Sequence, residues 1–122
     1  MARILVVDDE PHILKLVVFS LEKAGHEVLS APDGLTAISA ARENQPELIL
    51  MDVMMPLMTG YEAVEHLKAE SDTADIPVIM LSAKSQQYEQ EKGIECGAAR
   101  YICKPFTPKE LVEQVTEFLE TQ

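Results

Sequence analysis

The sequence predicts an α/β domain in which a five-stranded parallel sheet carries helices on both faces. Three observations lead there. Short apolar, partly β-branched runs at 3–7 (RILVV), 48–51 (LILM) and 78–81 (VIML) have the length of strands buried on both sides. They alternate with stretches of helical apolar spacing, and such alternation implies a parallel sheet joined by helical crossovers. With 122 residues, 47% of them hydrophobic, the chain matches one domain able to bury a sizeable core.

The bulk properties narrow the function classes. No apolar run approaches the roughly 18 residues of a membrane span, and Met1-Ala2-Arg3-Ile4 leads directly into a strand without a signal peptide. A cytoplasmic protein with no membrane partner is expected. Cys96 and Cys103 have no metal-type spacing, and both are expected to be reduced. Ten Lys and Arg against 21 Asp and Glu give a net charge of −11, which leaves no basic stripe for a phosphate backbone. No direct nucleic-acid binding is expected.

In order, the first strand, Arg3 to Val7, ends in Asp8-Asp9-Glu10-Pro11. Asp9 can cap the following helix and Pro11 suits its first turn. Ile13, Leu16, Val17, Leu21 and Ala24 share one face, with Leu14 and Val18 off it, and Gly25 stops the helix. Glu27 to Ala31 is the second strand. Asp33-Gly34 turns the chain into a helix with Leu35, Ile38 and Ala41 inward, ending near Asn44. The third strand runs from Leu48 to about Asp52, where Pro56 discourages further regular structure. Thr59 caps a third helix, with Glu62 completing a capping box and Ala63, Val64 and Leu67 inward. Val78 to Leu81 is the fourth strand. A weak polar helix is expected over 86–95, with little apolar content beyond Tyr88 and Ile94. Arg100 to Cys103 is the last strand. Thr107-Pro108 opens a final helix with Leu111, Val112, Val115, Phe118 and Leu119 inward.

In a parallel sheet, the ends after Val7, Met51, Leu81 and Cys103 open on one edge, where ligands bind in open α/β sheets. They deliver Asp8, Asp9, Asp52, Ser82 and Lys104. Singly, each has a bland reading: helix cap, loop acid, loop hydroxyl, lysine before a proline. Together, three carboxylates repel unless a cation or Lys104 neutralises them. Oxygen ligands of this kind suit Mg²⁺, which pairs carboxylates with a phosphate. A carboxylate beside Mg²⁺ can act as nucleophile and form an aspartyl phosphate, with Lys104 and Ser82 supplying partners for the phosphoryl oxygens.

At these residues the chain resembles, over its whole length, the receiver domain of two-component response regulators. The motifs are Val7-Asp8-Asp9-Glu10-Pro11, Met51-Asp52-Val53-Met54-Met55-Pro56-Leu57-Met58-Thr59-Gly60, Leu81-Ser82-Ala83 and Tyr101-Ile102-Cys103-Lys104-Pro105-Phe106. The resemblance implies a doubly wound, flavodoxin-like (βα)5 fold over 1–122 and a phosphoacceptor signalling protein. That protein would catalyse only its own phosphorylation and dephosphorylation. Asp52 would accept the phosphoryl group from a sensor histidine kinase or phosphotransfer protein. Asp9, Asp52 and the main-chain carbonyl of Met54 would bind Mg²⁺ directly, and Asp8 mostly through water. Lys104 would pair with the acceptor and then the phosphate. Ser82 and Tyr101 would move together as a switch, and the Lys104–Pro105 bond would be cis. Kinases would dock on the first helix and the loop around Pro105-Phe106, where Leu14 and Val18 are the expected contacts.

Departures from the family pattern are few. Thr59 stands where the family usually has Asp, and Met54 and Lys84 occupy variable positions that affect phosphoryl lifetime. Arg100 and Gln114 replace an acid and an Arg that form ion pairs between paired receivers, so a monomer or weak dimer is expected. If the chain ends naturally at residue 122, it is a stand-alone, chemotaxis-type regulator acting on another protein.

Rival readings fit less well. A flavin carrier of this fold needs a phosphate cradle after the first strand, where Asp8-Asp9-Glu10 would repel the ligand. A phosphatase working through an aspartyl phosphate usually needs an acid two residues beyond the nucleophile, and Met54 cannot transfer a proton. A purely structural adaptor leaves the polar cluster unexplained.

Overall fold

The computed structural model describes residues 1–82 and 97–121. Its five strands are β1 (Arg3–Val7), β2 (Glu27–Ala31), β3 (Leu48–Asp52), β4 (Val78–Ser82) and β5 (Arg100–Cys103), all parallel, in the order β2-β1-β3-β4-β5. Every residue of β3 and β4 is buried, as continuous apolar runs require at the centre of a two-layered parallel sheet. The helices are α1 (Pro11–Lys23), α2 (Gly34–Asn44), α3 (Gly60–Ala69) and α4 (Pro108–Glu120). The helix expected over 86–95 lies outside the described residues, as do Lys84 and Cys96. Cys103 is a free thiol.

The pleat divides the core in two. Leu5, Val7, Ile49, Met51, Val78 and Met80 face α2 and α3, with Ala37, Ile38, Ala41, Tyr61, Ala63, Val64 and Leu67. Ile4, Val6, Leu48, Leu50, Ile79, Leu81 and Ile102 face α1 and α4, with Val17, Leu21, Leu111, Val115 and Phe118. This alternation is the period-two signature of strands covered on both sides. Among the described residues, no helix is long and apolar enough to cross a membrane.

Caps hold the helix ends near the C-terminal edge of the sheet. Thr59 and Thr107 each form a full capping box, with Glu62 and Glu110. The Thr59 box shows that Thr serves where the family has Asp. Asp33 accepts from the Thr36 amide at 2.8 Å and is the N-cap of α2. Gly25, at φ 99°, follows the end of α1 in the left-handed region, as the sequence suggests.

Some expectations for the helices need correction. Asp9 does not cap α1. Glu10 is the N-cap without a side-chain bond, and Asp8 Oδ1 instead accepts from the Glu10 amide at 2.9 Å. Asp9 is thereby left at the mouth of the sheet. The buried face of α1 is Val17, Ser20 and Leu21. Leu16 and Ala24 are exposed, whereas Leu14 and Val18 are half-buried against the core. The actual face is thus rotated from the expected one. Ser20 takes a core position because its hydroxyl donates to the Leu16 carbonyl at 2.7 Å, which satisfies it within the helix. In α2, Leu35 is also exposed, with Ala37 inside in its place.

Candidate phosphoacceptor site

The register places the site. Val7 pairs with Met51, Asp52 with Leu81 and Ser82 with Cys103, so all four chain segments reach the same edge within about one residue. Asp8 leaves the end of β1 with its amide donating to the Ala31 carbonyl. Asp52 is the last residue of β3 and Ser82 the last of β4. Lys104 follows β5, its amide donating to the Ser82 carbonyl. The Lys104–Pro105 bond is cis, as the resemblance implies.

Three of the predicted acids converge. Asp8, Asp9 and Asp52 each bring a carboxylate oxygen within 4.8 Å of the others. Asp8 and Asp52 are buried, 1% and 5% exposed, and Asp9 faces solvent. Lys104 Nζ reaches over them, donating to Asp52 Oδ1 at 3.0 Å and Asp8 Oδ2 at 3.1 Å. Among the described residues, one ammonium against three carboxylates leaves an excess of negative charge at the mouth of the sheet.

The titration behaviour reflects that imbalance. Burial pushes the Asp52 carboxyl up to about 6, against an ordinary 3.8; Asp8 and Asp9 add repulsion and Lys104 pulls the other way. Burial works against the charge on Lys104, but its bonds to Asp52 and Asp8 outweigh that and hold its pKa above the usual lysine value. Asp52 is therefore a carboxylate at neutral pH, close to a lasting cation and poorly solvated. Those are properties of a usable nucleophile.

The remaining predicted residues surround this centre. Ser82 is buried at 3% exposure on the neighbouring strand. Met54, two residues past Asp52, is 70% exposed and leaves the mouth open to solvent. Tyr101 is half-buried on β5, its hydroxyl 3.2 Å from that of Tyr61 in the first turn of α3.

Tyr61 is a contributor that the motif reading missed, and Gly60, the last residue of one quoted motif, has a packing role that the motif did not reveal. Tyr61 lies on the same face as Val64 and Leu67, so its i, i+3 spacing was the available signal. Gly60 donates its amide to the Val53 carbonyl at 2.8 Å and packs directly on the backbone of Asp52. Among the described residues the cluster fits a hard divalent cation: the three side-chain donors are all carboxylate oxygens, and Lys104 offsets only part of their charge.

A family model of the response regulator receiver domain matches residues 4–116. The phosphate regulon transcriptional regulatory protein PhoB of Escherichia coli is 46% identical over 113 residues, spanning 93% of this chain and 49% of that protein. The chain thus spans about half the length of the curated relatives it matches. Chemotaxis protein CheY4 of Vibrio cholerae superposes with a TM-score of 0.91 at 34% identity, over 96% of this chain and 98% of that one. The receiver domain of a sensor histidine kinase from Pseudomonas aeruginosa, solved with a magnesium ion in its active site cleft, gives a TM-score of 0.86 at 29% identity over 95% of both chains. Fold, sheet-edge acids and a match from Ile4 to Thr116 agree, and the chain belongs to the receiver domains of two-component response regulators, which are phosphoacceptor signalling domains.

Proposed function

We propose that Asp52 is the phosphoacceptor, charged by a sensor histidine kinase or phosphotransfer protein. The observation that carries this is the buried Asp52 carboxylate held by Lys104 at the open edge of the sheet. A carboxylate oxygen of Asp52 attacks phosphorus, and a P–O bond forms. The P–N bond to the donor histidine breaks, its electron pair stays on the imidazole, and that nitrogen takes a proton from solvent. Lys104 transfers its donated bond from the carboxylate to a phosphoryl oxygen, and Ser82 supplies a hydroxyl to another. Tyr101 moves with Ser82 and changes the surface that a partner reads. Mg²⁺ would be held by Asp9, Asp52 and the Met54 carbonyl, with Asp8 through water, and it would neutralise charge on the transferring group. No external substrate is turned over. Acetyl phosphate with Mg²⁺ should add one phosphoryl group, read by intact mass; an unchanged mass would overturn the assignment.

The metal is tested by unfolding. Mg²⁺ in excess of its Kd should raise the midpoint as the folded state alone binds it. Asp9→Ala should remove that rise while leaving the metal-free protein as stable or slightly more so, since like-charge repulsion is relieved. A rise that persists in the variant would place the metal elsewhere.

The kinase is proposed to dock along α1. On α1, Leu14 and Val18 are half-buried, whereas Leu16 and Phe19 are 39% and 63% exposed and are the better candidates for contact. Leu16 lines two grooves. One, of about 270 Å³, includes Ile13, Lys104, Pro105 and Phe106; the other, of about 480 Å³, includes Phe19, Pro108 and Val112. Leu16→Glu with Phe19→Glu should slow transfer from a cognate kinase about tenfold or more, the loss of one or two buried anchors. Labelling by acetyl phosphate should be unaffected. Equal loss of both would mean misfolding, and loss of neither would dismiss the surface.

The phosphorylated chain is proposed to remain a monomer or weak dimer. Arg100 pairs with Glu117 at 3.5 Å and lies over the Phe118 ring at 5.2 Å, all within one chain. The pair is partly exposed and weak, so the expectation rests on the missing acid–Arg complement at positions 100 and 114. Sedimentation with beryllofluoride should show no tight dimer; one that forms, and is broken by changes at Arg100, would refute this. The output is then a protein contact, as in a stand-alone chemotaxis-type regulator. A second reading, the receiver part of a two-part transcriptional regulator, is favoured by the half-length match to such proteins. The intact mass of the native protein distinguishes the two.

A further inference from the structure

Lys104 and Asp52 form the central ion pair, yet they come from strands that are not neighbours. β4 lies between β3 and β5, and among the described residues β5 pairs with β4 alone. The strand is short, four residues, and only Ile102 of it is fully buried. The reach of Lys104 to Asp52 therefore depends on how firmly β5 is held. A second tie exists. On the Asp52 side, Gly60 packs on the Asp52 backbone and donates to the Val53 carbonyl, so the first turn of α3 moves with the acceptor. Tyr61, the next residue, is 8% exposed, and its hydroxyl meets that of Tyr101 at 3.2 Å. Tyr101 stands three residues before Lys104 and opposite Met80, whose side chain also lies against Gly60.

We infer that Tyr61 is a positioning residue for phosphoryl uptake: in the unphosphorylated chain its bond to Tyr101 fixes β5, and hence Lys104, against the α3–Asp52 corner. This rests on the phosphoacceptor reading and deepens it. Buried tyrosine hydroxyls find partners, and one such bond held across two elements sets a distance that the reaction uses. Removing the hydroxyl while keeping the ring loosens Lys104 without emptying the core.

The test is a cycle of Tyr61→Phe, Tyr101→Phe and the double variant. Labelling by acetyl phosphate would be followed at saturating Mg²⁺ over a range of acetyl phosphate concentrations. Each single variant should lower the plateau rate about two- to tenfold, the range of one net hydrogen bond, with KM unchanged and the unfolding midpoint lower by no more than that one bond accounts for. The double variant should lose less than the product of the two single losses, because the single variants share one bond. A parental plateau rate in Tyr61→Phe, losses that multiply in the double variant, or a fall in the unfolding midpoint beyond one hydrogen bond would each overturn the inference. A parent that takes no label would instead sink the phosphoacceptor reading, and this inference with it.

Discussion

Asp52→Asn should abolish phosphoryl incorporation from acetyl phosphate, to below detection by intact mass. The amide oxygen is a poor nucleophile and the side chain no longer carries the charge that Lys104 and a metal would hold. The fold should survive, because Asn is nearly isosteric and Lys104 keeps its bond to Asp8 at 3.1 Å. Stability should move against intuition. Burial raises the folded-state pKa of Asp52 to about 6 from an ordinary 3.8. The unfolded chain thus releases this proton more readily, and ionising Asp52 penalises the folded state. Its contribution is most favourable below the unfolded pKa, declines as pH rises through the folded value of about 6, and is level above it. In chelator, the Asn variant should therefore exceed the parent at neutral pH by on the order of 1 kcal/mol, allowing for imperfect accommodation of the amide. That advantage should shrink toward about pH 4. Thermal unfolding of both proteins across this range checks it. A variant that takes label would move the nucleophile elsewhere, and a gap independent of pH would mean that Asp52 is not strained by its burial.

Much of this site was legible because strand ends in a parallel sheet are ordered by topology alone. Once Arg3–Val7, Leu48 to about Asp52 and Val78–Leu81 read as buried strands, Asp8, Asp52 and Ser82 had to share an edge. The caps at Thr59 and Thr107 were readable for a similar reason, since each motif closes on itself within four residues. Rotations about helix axes were not. Which of Leu14, Leu16 and Val18 faces inward depends on how α1 seats on β1 and against α4, a tertiary choice that several apolar spacings satisfy equally. The Arg100–Glu117 pair joins elements whose relative position has no local signature. Asp9 misled only as a cap, because an Asp two residues before a Pro suits a helix start; the backbone instead used Glu10, and Asp9 joins the cluster as expected. Tyr61 was hidden by its neighbours, since an aromatic residue on an inward face reads as packing until its hydroxyl is seen to have a partner.

Gly60→Ala should cost more than its one methyl group suggests. A Cβ at this position would fall 2.2 Å from the Asp52 carbonyl oxygen and 2.9 Å from Met80 Cε. The methionine tip can swing aside, being flexible. The carbonyl cannot, because it belongs to a central strand whose next amide, that of Val53, is bonded to Leu81 at 3.0 Å. The first turn of α3 must instead retreat by about 1 Å to restore an ordinary contact. That breaks the bond from Gly60 to the Val53 carbonyl and draws Tyr61 out of the core. Overpacking against fixed backbone, with a buried amide left unpaired, puts the loss at about 2–4 kcal/mol. Labelling should fall about tenfold or more, since the displaced turn is the one that backs the nucleophile. Gly25→Ala is the matched control. Nothing lies within 4 Å of a Cβ there, but φ is 99°, so only conformational strain is paid, about 1 kcal/mol, with normal labelling. Chemical denaturation with parallel acetyl phosphate assays separates the two. A Gly60→Ala protein as stable and as readily labelled as the parent would show that α3 is not braced on Asp52.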